Sequence, residues 1–404
     1  MTTRPTPCPA GPCPTDPPLL RLRDPAGVVA AVPYLLGFAP RRSLVVVGVD
    51  EGQGVGATLR ADLPTEDLLG TGPGEVLPAA WAHVCQVLRR NGCSRALVVL
   101  YADVDPADLS DEAVRSLLEV LDVLDGDRHQ DGEHDPGGLD VLDVLLVGPR
   151  RFRSVLCPDR RCCPVEGVPV SSTGSHPVAA SFVLAGRSTV PGRDEVEPAP
   201  PAADPADRAT AATAATAAER SRRAHPGGPA AAVHDRHLLR EWLACLPGGP
   251  SPELAGRLAT GWRSNPRLRD SCLAAFLPGG PELARHLFGA GEQPSATSLV
   301  ASLVDPGCAR AVDAGAPVLR RMAALVPTPL SAEVMAAHAW LAWASGEGTA
   351  AALLAERALV VEPGQSLARL VLQCLDHGLG APWTTGPSRA AAAGRGGSRL
   401  RGLG

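Results

Sequence analysis

A change in composition beginning near residue 197 most constrains how this chain can fold. Residues 197–232 are rich in Pro and Ala and contain few large apolar side chains. Runs of β-branched residues typical of strands precede this segment, whereas only helical periodicity follows it. A chain of 404 residues is long enough for two or three domains. We therefore predict a disordered leader over 1–18, an α/β domain over 19–196, an Ala/Pro-rich linker over 197–232, a helical domain over 233–382 and a disordered Arg/Gly-rich tail over 383–404.

The first half alternates between strand-like and helix-like patterns. Ser43–Val49 and Arg95–Tyr101 are continuous apolar runs, as expected for buried strands, and Ala57–Leu63 alternates apolar and polar residues to complete a hairpin with the first run. Amphipathic helices are predicted over 75–90 and 110–124. Further strands are predicted over 142–147 and 151–156. Apolar strands that alternate with helices predict an α/β layer on a mostly parallel sheet.

The second half contains only helical patterns. The segment 331–363 predicts two helices around a Ser-Gly-Glu-Gly turn, with Ala351 and Ala358 where they cross, and this spacing resembles one tetratricopeptide unit. No second copy follows, so we expect a helical hairpin rather than a repeat array. The middle of 197–232 predicts an Ala-rich helix without an apolar face that could dock. The other helices are predicted over 235–246, 252–262, 267–277, 281–289, 317–325 and 365–377.

The charged residues exclude several classes of function. All 38 basic side chains are arginine, so no lysine can form a Schiff base or hold a phosphate in a Walker A loop. The net charge of −5 argues against a general nucleic-acid binder, which needs a basic face. No apolar run approaches the roughly 18 residues of a membrane span, and the N-terminus lacks the apolar core of a signal peptide. We expect a cytoplasmic protein that binds neither nucleic acid nor membrane.

Polar residues near the ends of the predicted strands are candidates for a ligand pocket. Asp62 and Asp103 follow two strands, and Arg60 precedes Asp62 by two residues. Ligands of open α/β sheets bind at the carboxyl ends of strands, where two carboxylates and an arginine could perform acid/base or metal chemistry. Strand-end capping and surface salt bridges explain the same residues equally well.

Three cysteines within seven residues form the densest group of chemically active side chains. Cys157, Cys162 and Cys163 could bind zinc as soft ligands, with His176 as a fourth ligand. The adjacent Arg160 and Arg161 could instead lower a thiol pKa and make the loop redox-active. The third interpretation is a tight structural turn, since adjacent cysteines rarely both bind one ion.

Several short motifs follow one another through both halves of the chain. They are Pro33–Phe38, Ser43–Val47, Leu59–Pro64, Cys162–Gly167, Ala185–Arg187, Arg193–Glu195, and a C-terminal series that runs from Trp340 through Arg357 to Leu370. Their order resembles an uncharacterised family of high-GC Gram-positive bacteria, known only as domain of unknown function 4192. This resemblance implies a bacterial cytoplasmic protein of unknown function and carries over no catalytic residue.

Two classes of function remain open from the sequence. The helical pattern, together with the lack of a complete catalytic motif, favours a non-enzymatic binding or regulatory protein whose helical domain holds a protein partner. The alternative is a small-molecule or zinc-dependent enzyme, or a thiol-redox protein. It would use Asp62, Asp103 and Glu166, with the 157–163 thiols as ligands or nucleophile.

Overall fold

The computed structural model describes residues 24–50, 55–63, 76–121, 139–200, 202–246, 248–289 and 314–380. The chain divides into two compact units, Met1–Val196 and Glu197–Gly404. The predicted leader over 1–18 and tail over 383–404 lie outside the described residues.

The first unit is an α/β structure whose elements follow the predicted order. Its strands are β1 (Ser43–Asp50), β2 (Val55–Asp62), β3 (Cys93–Tyr101), β4 (Asp140–Val147), β5 (Arg151–Ser154) and β6 (Val168–Pro169). Its helices are α1 (Pro25–Leu36), α2 (Val76–Arg90), α3 (Asp111–Val120) and α4 (Pro177–Leu184), with short 3-10 turns at Pro106–Asp108, Val170–Ser175 and Arg193–Glu195. Asp24 caps α1 by accepting a hydrogen bond from the Gly27 amide, and Ser110 caps α3 in the same way.

The six strands form one mixed sheet in the order β2-β1-β3-β4-β5-β6. The prediction of a mostly parallel sheet is wrong, because β3 and β4 form the one parallel pair among these strands. The two crossover connections do join strands of the same direction, β2 to β3 through α2 and β3 to β4 through α3. However, β1 lies between β2 and β3 and runs opposite to both, so its two pairings are antiparallel.

The sheet has an apolar core on each face because its central strands contain apolar runs whose side chains alternate between the two faces: Leu44–Val47 in β1, Ala96–Leu100 in β3 and Val144–Val147 in β4. Leu44, Val46 and Val98 pack on one face against α2 and α3. Val45 and Val47 pack on the other face against α1. Continuous apolar strands are therefore explained by burial between two helical layers, which does not require parallel pairing.

The second unit is helical, as predicted, and its described residues contain no strand. Its helices are α5 (Pro205–Ala224), α6 (Gly228–Cys245), α7 (Pro252–Ser264), α8 (Pro266–Ala274), α9 (Gly280–Gly289), α10 (Gly315–Leu325), α11 (Thr328–Ala344), α12 (Gly348–Val361) and α13 (Ser366–Asp376). Ala351 and Ala358 of α12 are fully buried. Among the described helices, none combines the length and apolar character needed to cross a membrane.

Helix α5 corrects the prediction of an Ala-rich helix with no face to dock. Its buried face consists of the small side chains Ala211, Ala215 and Ala218, and it packs against α7. A β-carbon added to Gly256 of α7 would lie 2.1 Å from the Ala211 carbonyl oxygen, so the two backbones approach very closely. Small residues provide a docking face here because they allow close contact rather than because they are strongly apolar.

A buried carboxylate organises one part of the helical unit. Glu197 accepts two hydrogen bonds from Arg320, at 2.9 and 3.1 Å, and its backbone oxygen accepts another from Arg357 at 2.7 Å. Such forked pairing compensates for the cost of burying a charge. His338 of α11 is also buried, and burial lowers the pKa of its imidazole to about 4.

Candidate functional site

The carboxyl ends of β2 and β3 meet at one edge of the sheet. Ser43, the first residue of β1, pairs with Asp62 on one side and with Tyr101 on the other. Arg60 Nε donates a 3.0 Å hydrogen bond to Ser43 Oγ, and Arg60 Nη2 pairs with the Asp62 carboxylate. The Arg60 side chain is mostly buried, whereas that of Asp62 is 80% exposed. The end of β2 therefore carries an ion pair at the surface.

Asp103 lies beyond the end of β3 at the same edge. Its Oδ2 is 3.8 Å from Nε of Arg42, and both side chains are more than half exposed. Arg42 has a φ of 43°, and among the described residues it is the one non-glycine with positive φ. Such a conformation costs about 1 kcal/mol or more and needs support from its surroundings. Here the Arg42 carbonyl accepts a hydrogen bond from the Leu63 amide, which fixes the entry into β1.

Asp105 is the most deeply buried carboxylate near this edge, and it was not among the predicted site residues. Its Oδ1 accepts hydrogen bonds from the backbone amides of Arg150 and Arg151, at 2.9 and 3.0 Å, and its Oδ2 accepts one from Arg150 Nε at 2.8 Å. Burial acts to raise the pKa of Asp105, but these bonds together hold it below its usual value. Asp105 thus fixes the β4–β5 turn to the loop after β3. The Asp105-Pro106 turn was visible in the sequence, but its partners 45 residues away were not.

The three cysteines come together in the loop between β5 and β6. The sulfur atoms of Cys157, Cys162 and Cys163 all lie within 4.8 Å of one another, and the Cys162 and Cys163 sulfurs are 3.8 Å apart. Cys162 is exposed, Cys157 is half-buried and Cys163 is buried. Burial and the two neighbouring thiols raise the pKa of Cys163 to about 12, so this thiol is protonated at neutral pH without a cation.

A buried serine connects this thiol loop to the sheet. Ser154 Oγ donates a 2.6 Å hydrogen bond to Asp143 Oδ1 and accepts one of 3.0 Å from the Cys157 amide. Asp143 also accepts from the Val144 amide, while burial raises the pKa of its carboxyl group. The start of the thiol loop is consequently fixed to β4. Neither residue was among the predicted site residues, because this contact depends on the β4–β5 pairing.

The predicted fourth ligand, His176, does not join the thiols. Nδ1 of His176 accepts a hydrogen bond from the Val178 amide, which caps α4, and its Nε2 lies 3.5 Å from Asp24 Oδ2 at the start of α1. Among the described residues, the group with metal-ligating geometry consists of the three cysteines alone. Glu166 is exposed in the turn that leads to β6. His176 therefore connects two helix N-termini.

The helical unit has a separate groove between α6 and α9. The groove measures about 420 Å³ and is lined by Arg236, Leu239, Arg240, Leu243, Ala244, Pro281, Arg285, Phe288 and Gly289. Its leucine and phenylalanine side chains are at least partly buried, whereas its three arginines are exposed. None of these lining residues is acidic. The groove therefore combines an apolar floor with a positive rim.

The described structure defines a class: a mixed six-stranded sheet between helical layers that carries a three-thiol loop, followed by a helical unit. Residues 25–381 match the sequence profile of the family described as Domain of unknown function (DUF4192). The chain belongs to that family, which confirms the resemblance seen in its motifs. No curated protein and no solved structure matches it.

Proposed function

We propose that this protein is a non-enzymatic binding or regulatory protein of the cytoplasm, and that its helical unit holds a protein partner in the groove between α6 and α9. The observation that carries this proposal is the apolar floor of Leu239, Leu243 and Phe288 beside exposed arginines. Apolar anchors surrounded by charged groups are typical of surfaces that bind helices or peptides.

The charges of the groove define the chemistry of the partner. Arg236, Arg240 and Arg285 contribute three positive charges, and no lining residue offsets them. A complementary segment carries acidic residues beside one or two large apolar side chains. Burying one such apolar side chain stabilises a complex by roughly 1.5–3 kcal/mol, while the ion pairs at the rim mainly set orientation and rate of association.

Two further observations support the location and the binding role. No disulfide joins the cysteines that the structure describes, and this suits a reducing compartment. Asp62 and Asp103, the acids considered for catalysis, each pair with an arginine on an exposed edge. That arrangement supports a structural role for both.

Site-specific photo-cross-linking in cells that make the protein tests the proposal. A benzophenone amino acid replaces Leu243 in the groove or, as a control, Val360, which is 84% exposed on α12. We expect one cross-linked protein from position 243 and not from position 360. Arg240→Glu should reduce its yield about 10-fold, because an ion pair is replaced by repulsion.

The matched control for that substitution is Arg208→Glu on α5, an exposed arginine that does not line the groove. It should leave the cross-link unchanged. The same products from positions 243 and 360, or a yield that is equally reduced by both charge reversals, would contradict the proposal.

A further inference from the structure

The thiol loop has a geometry that the partner-binding groove does not explain. In tetrahedral zinc–thiolate sites a Zn–S bond of about 2.3 Å places two sulfurs about 3.8 Å apart. The Cys162 and Cys163 sulfurs are separated by 3.8 Å, and the Cys157 sulfur lies within 4.8 Å of both. Movements of about 1 Å in the sulfur positions would place all three sulfurs at corners of one tetrahedron around a zinc ion.

Backbone hydrogen bonds hold the loop in this shape. The Asp159 carbonyl accepts bonds from the amides of Cys162 and Cys163, at 3.1 and 2.8 Å, and the Asp159 side chain accepts one from the Arg161 amide. The Cys157 amide donates to Ser154 Oγ. The three cysteines are therefore positioned by a turn that does not depend on contacts between the sulfurs. Such preorganisation lowers the cost of assembling a site.

The end of the loop is fixed as firmly as its beginning. Gly167 has a φ of 79°, and its carbonyl accepts a 2.6 Å hydrogen bond from Arg151 Nη1. A β-carbon at this position would lie 2.9 Å from the Phe152 carbonyl oxygen. The loop leaves β5 and returns beside it as β6, so both ends of the thiol segment rest on the sheet.

A soft cation suits this group of thiols, because coordination deprotonates the thiols and the positive charge compensates the thiolates. The exposed Arg160 and Arg161 in the same loop are suited to balance the remaining negative charge.

We propose that Cys157, Cys162 and Cys163 form a three-thiolate site for a soft d¹⁰ cation of the Zn²⁺ class. Its fourth coordination position faces solvent on the side of the exposed Cys162. Three protein ligands with one open position are the arrangement of zinc sites that bind water or an exogenous ligand. This inference is independent of the groove in the helical unit.

The experiment uses the full chain, reduced and stripped of metal, with Co²⁺ alone as an optical probe and Zn²⁺ alone as competitor. We expect one Co²⁺ per chain, a thiolate-to-cobalt charge-transfer band, and complete displacement by one equivalent of Zn²⁺. Cys162→Ser should remove most of the band and weaken Zn²⁺ binding at least about 100-fold. Because Cys162 is exposed, this substitution should leave the far-ultraviolet circular dichroism unchanged.

Two controls separate the loop from the other cysteines. Cys374→Ser replaces a half-buried thiol of the helical unit and should leave the band intact. A Cys8→Ser/Cys13→Ser variant should also retain it. The proposal is overturned if Co²⁺ gives no saturable charge-transfer band, or if the band survives in both Cys157→Ser and Cys162→Ser.

Discussion

Replacing Asp105 tests the interpretation that one carboxylate fixes the β4–β5 turn. Its two oxygens have separate partners: Oδ1 accepts from two backbone amides, and Oδ2 accepts from the Arg150 side chain. Asp105→Ala removes every acceptor, whereas Asp105→Asn keeps a carbonyl oxygen for the two amides. Arg150→Ala removes the side-chain contact alone. The three variants therefore separate the backbone bonds from the ion pair.

The expected losses in the free energy of unfolding follow from how exposed Arg150 is. Each amide that loses its acceptor costs roughly 1 kcal/mol, the lower end of the range for unsatisfied donors, because Arg150 lies at the surface. The Arg150 side chain is 81% exposed, so its ion pair contributes less than about 1 kcal/mol. We expect losses of about 2–3 kcal/mol for Asp105→Ala, and about 1 kcal/mol or less for both Asp105→Asn and Arg150→Ala.

Pulsed alkylation of Cys93 during urea unfolding measures these losses in the α/β unit. Cys93 is 2% exposed in β3, so its reaction with an alkylating reagent, quantified by mass spectrometry, reports opening of this unit. Equal losses for Asp105→Ala and Asp105→Asn would refute the role of the backbone bonds. A loss below about 0.5 kcal/mol for Asp105→Ala would refute the whole interpretation.

The acid dependence of stability provides a second readout of the same carboxylate. Because the folded-state pKa of Asp105 lies below its unfolded value near 3.9, the folded state binds fewer protons. The contribution of the Asp105 carboxylate to the free energy of unfolding is complete above about pH 4. It is lost as the pH falls through the lower pKa of the folded state. The loss of stability that Asp105→Asn causes relative to the wild type should therefore become smaller below pH 4.

Three further substitutions, two of them with matched controls, test the close approach of backbones and the burial of a histidine. Gly148→Ala should destabilise the α/β unit by about 2–3 kcal/mol, because its β-carbon would lie 2.5 Å from Asp105 Cα. The control is Gly174→Ala, whose added β-carbon has no neighbouring atom within 4 Å. Equal effects of the two substitutions in the alkylation assay would contradict the reasoning. Gly256→Ala should lower the melting temperature of the helical unit, measured by circular dichroism, because the added β-carbon separates α5 from α7. The control is Gly348→Ala, whose added β-carbon would lie 3.5 Å from its nearest neighbour and should leave the melting temperature unchanged. His338 has a folded pKa of about 4, below its unfolded value near 6.5, so its contribution is complete above pH 6.5 and is lost as the pH falls toward 4. His338→Gln should remove this loss from urea-unfolding curves, and an unchanged acid dependence would contradict a buried neutral imidazole.

The sequence predicts local structure well where one segment determines it. The strand at Ser43–Val49 and the helix predicted from residue 110 depend on neighbouring residues, and the structure has the expected elements there. The prediction of a mostly parallel sheet was wrong, because no local pattern shows that β1 lies between β2 and β3. The docking of α5 was missed because alanines give weak apolar periodicity.

The candidate site also combines a feature that one segment of sequence predicts with contacts that depend on the fold. The spacing of Cys157, Cys162 and Cys163 already suggested that the thiols meet, since seven residues in one turn cannot spread far. His176 was predicted as a fourth ligand because it is the first histidine after them in the sequence, whereas the structure places it beside Asp24. Asp105 and the Asp143–Ser154 pair act across the sheet, so their roles depend on tertiary structure.

X-ray absorption at the zinc edge of the full chain, loaded with one equivalent of Zn²⁺, tests the three-thiolate site most directly. We predict a first shell of three sulfurs at about 2.3 Å and one lighter atom at about 2.0 Å. Cys162→Ser should change the shell to at most two sulfurs. A wild-type first shell made only of nitrogen and oxygen would contradict the site.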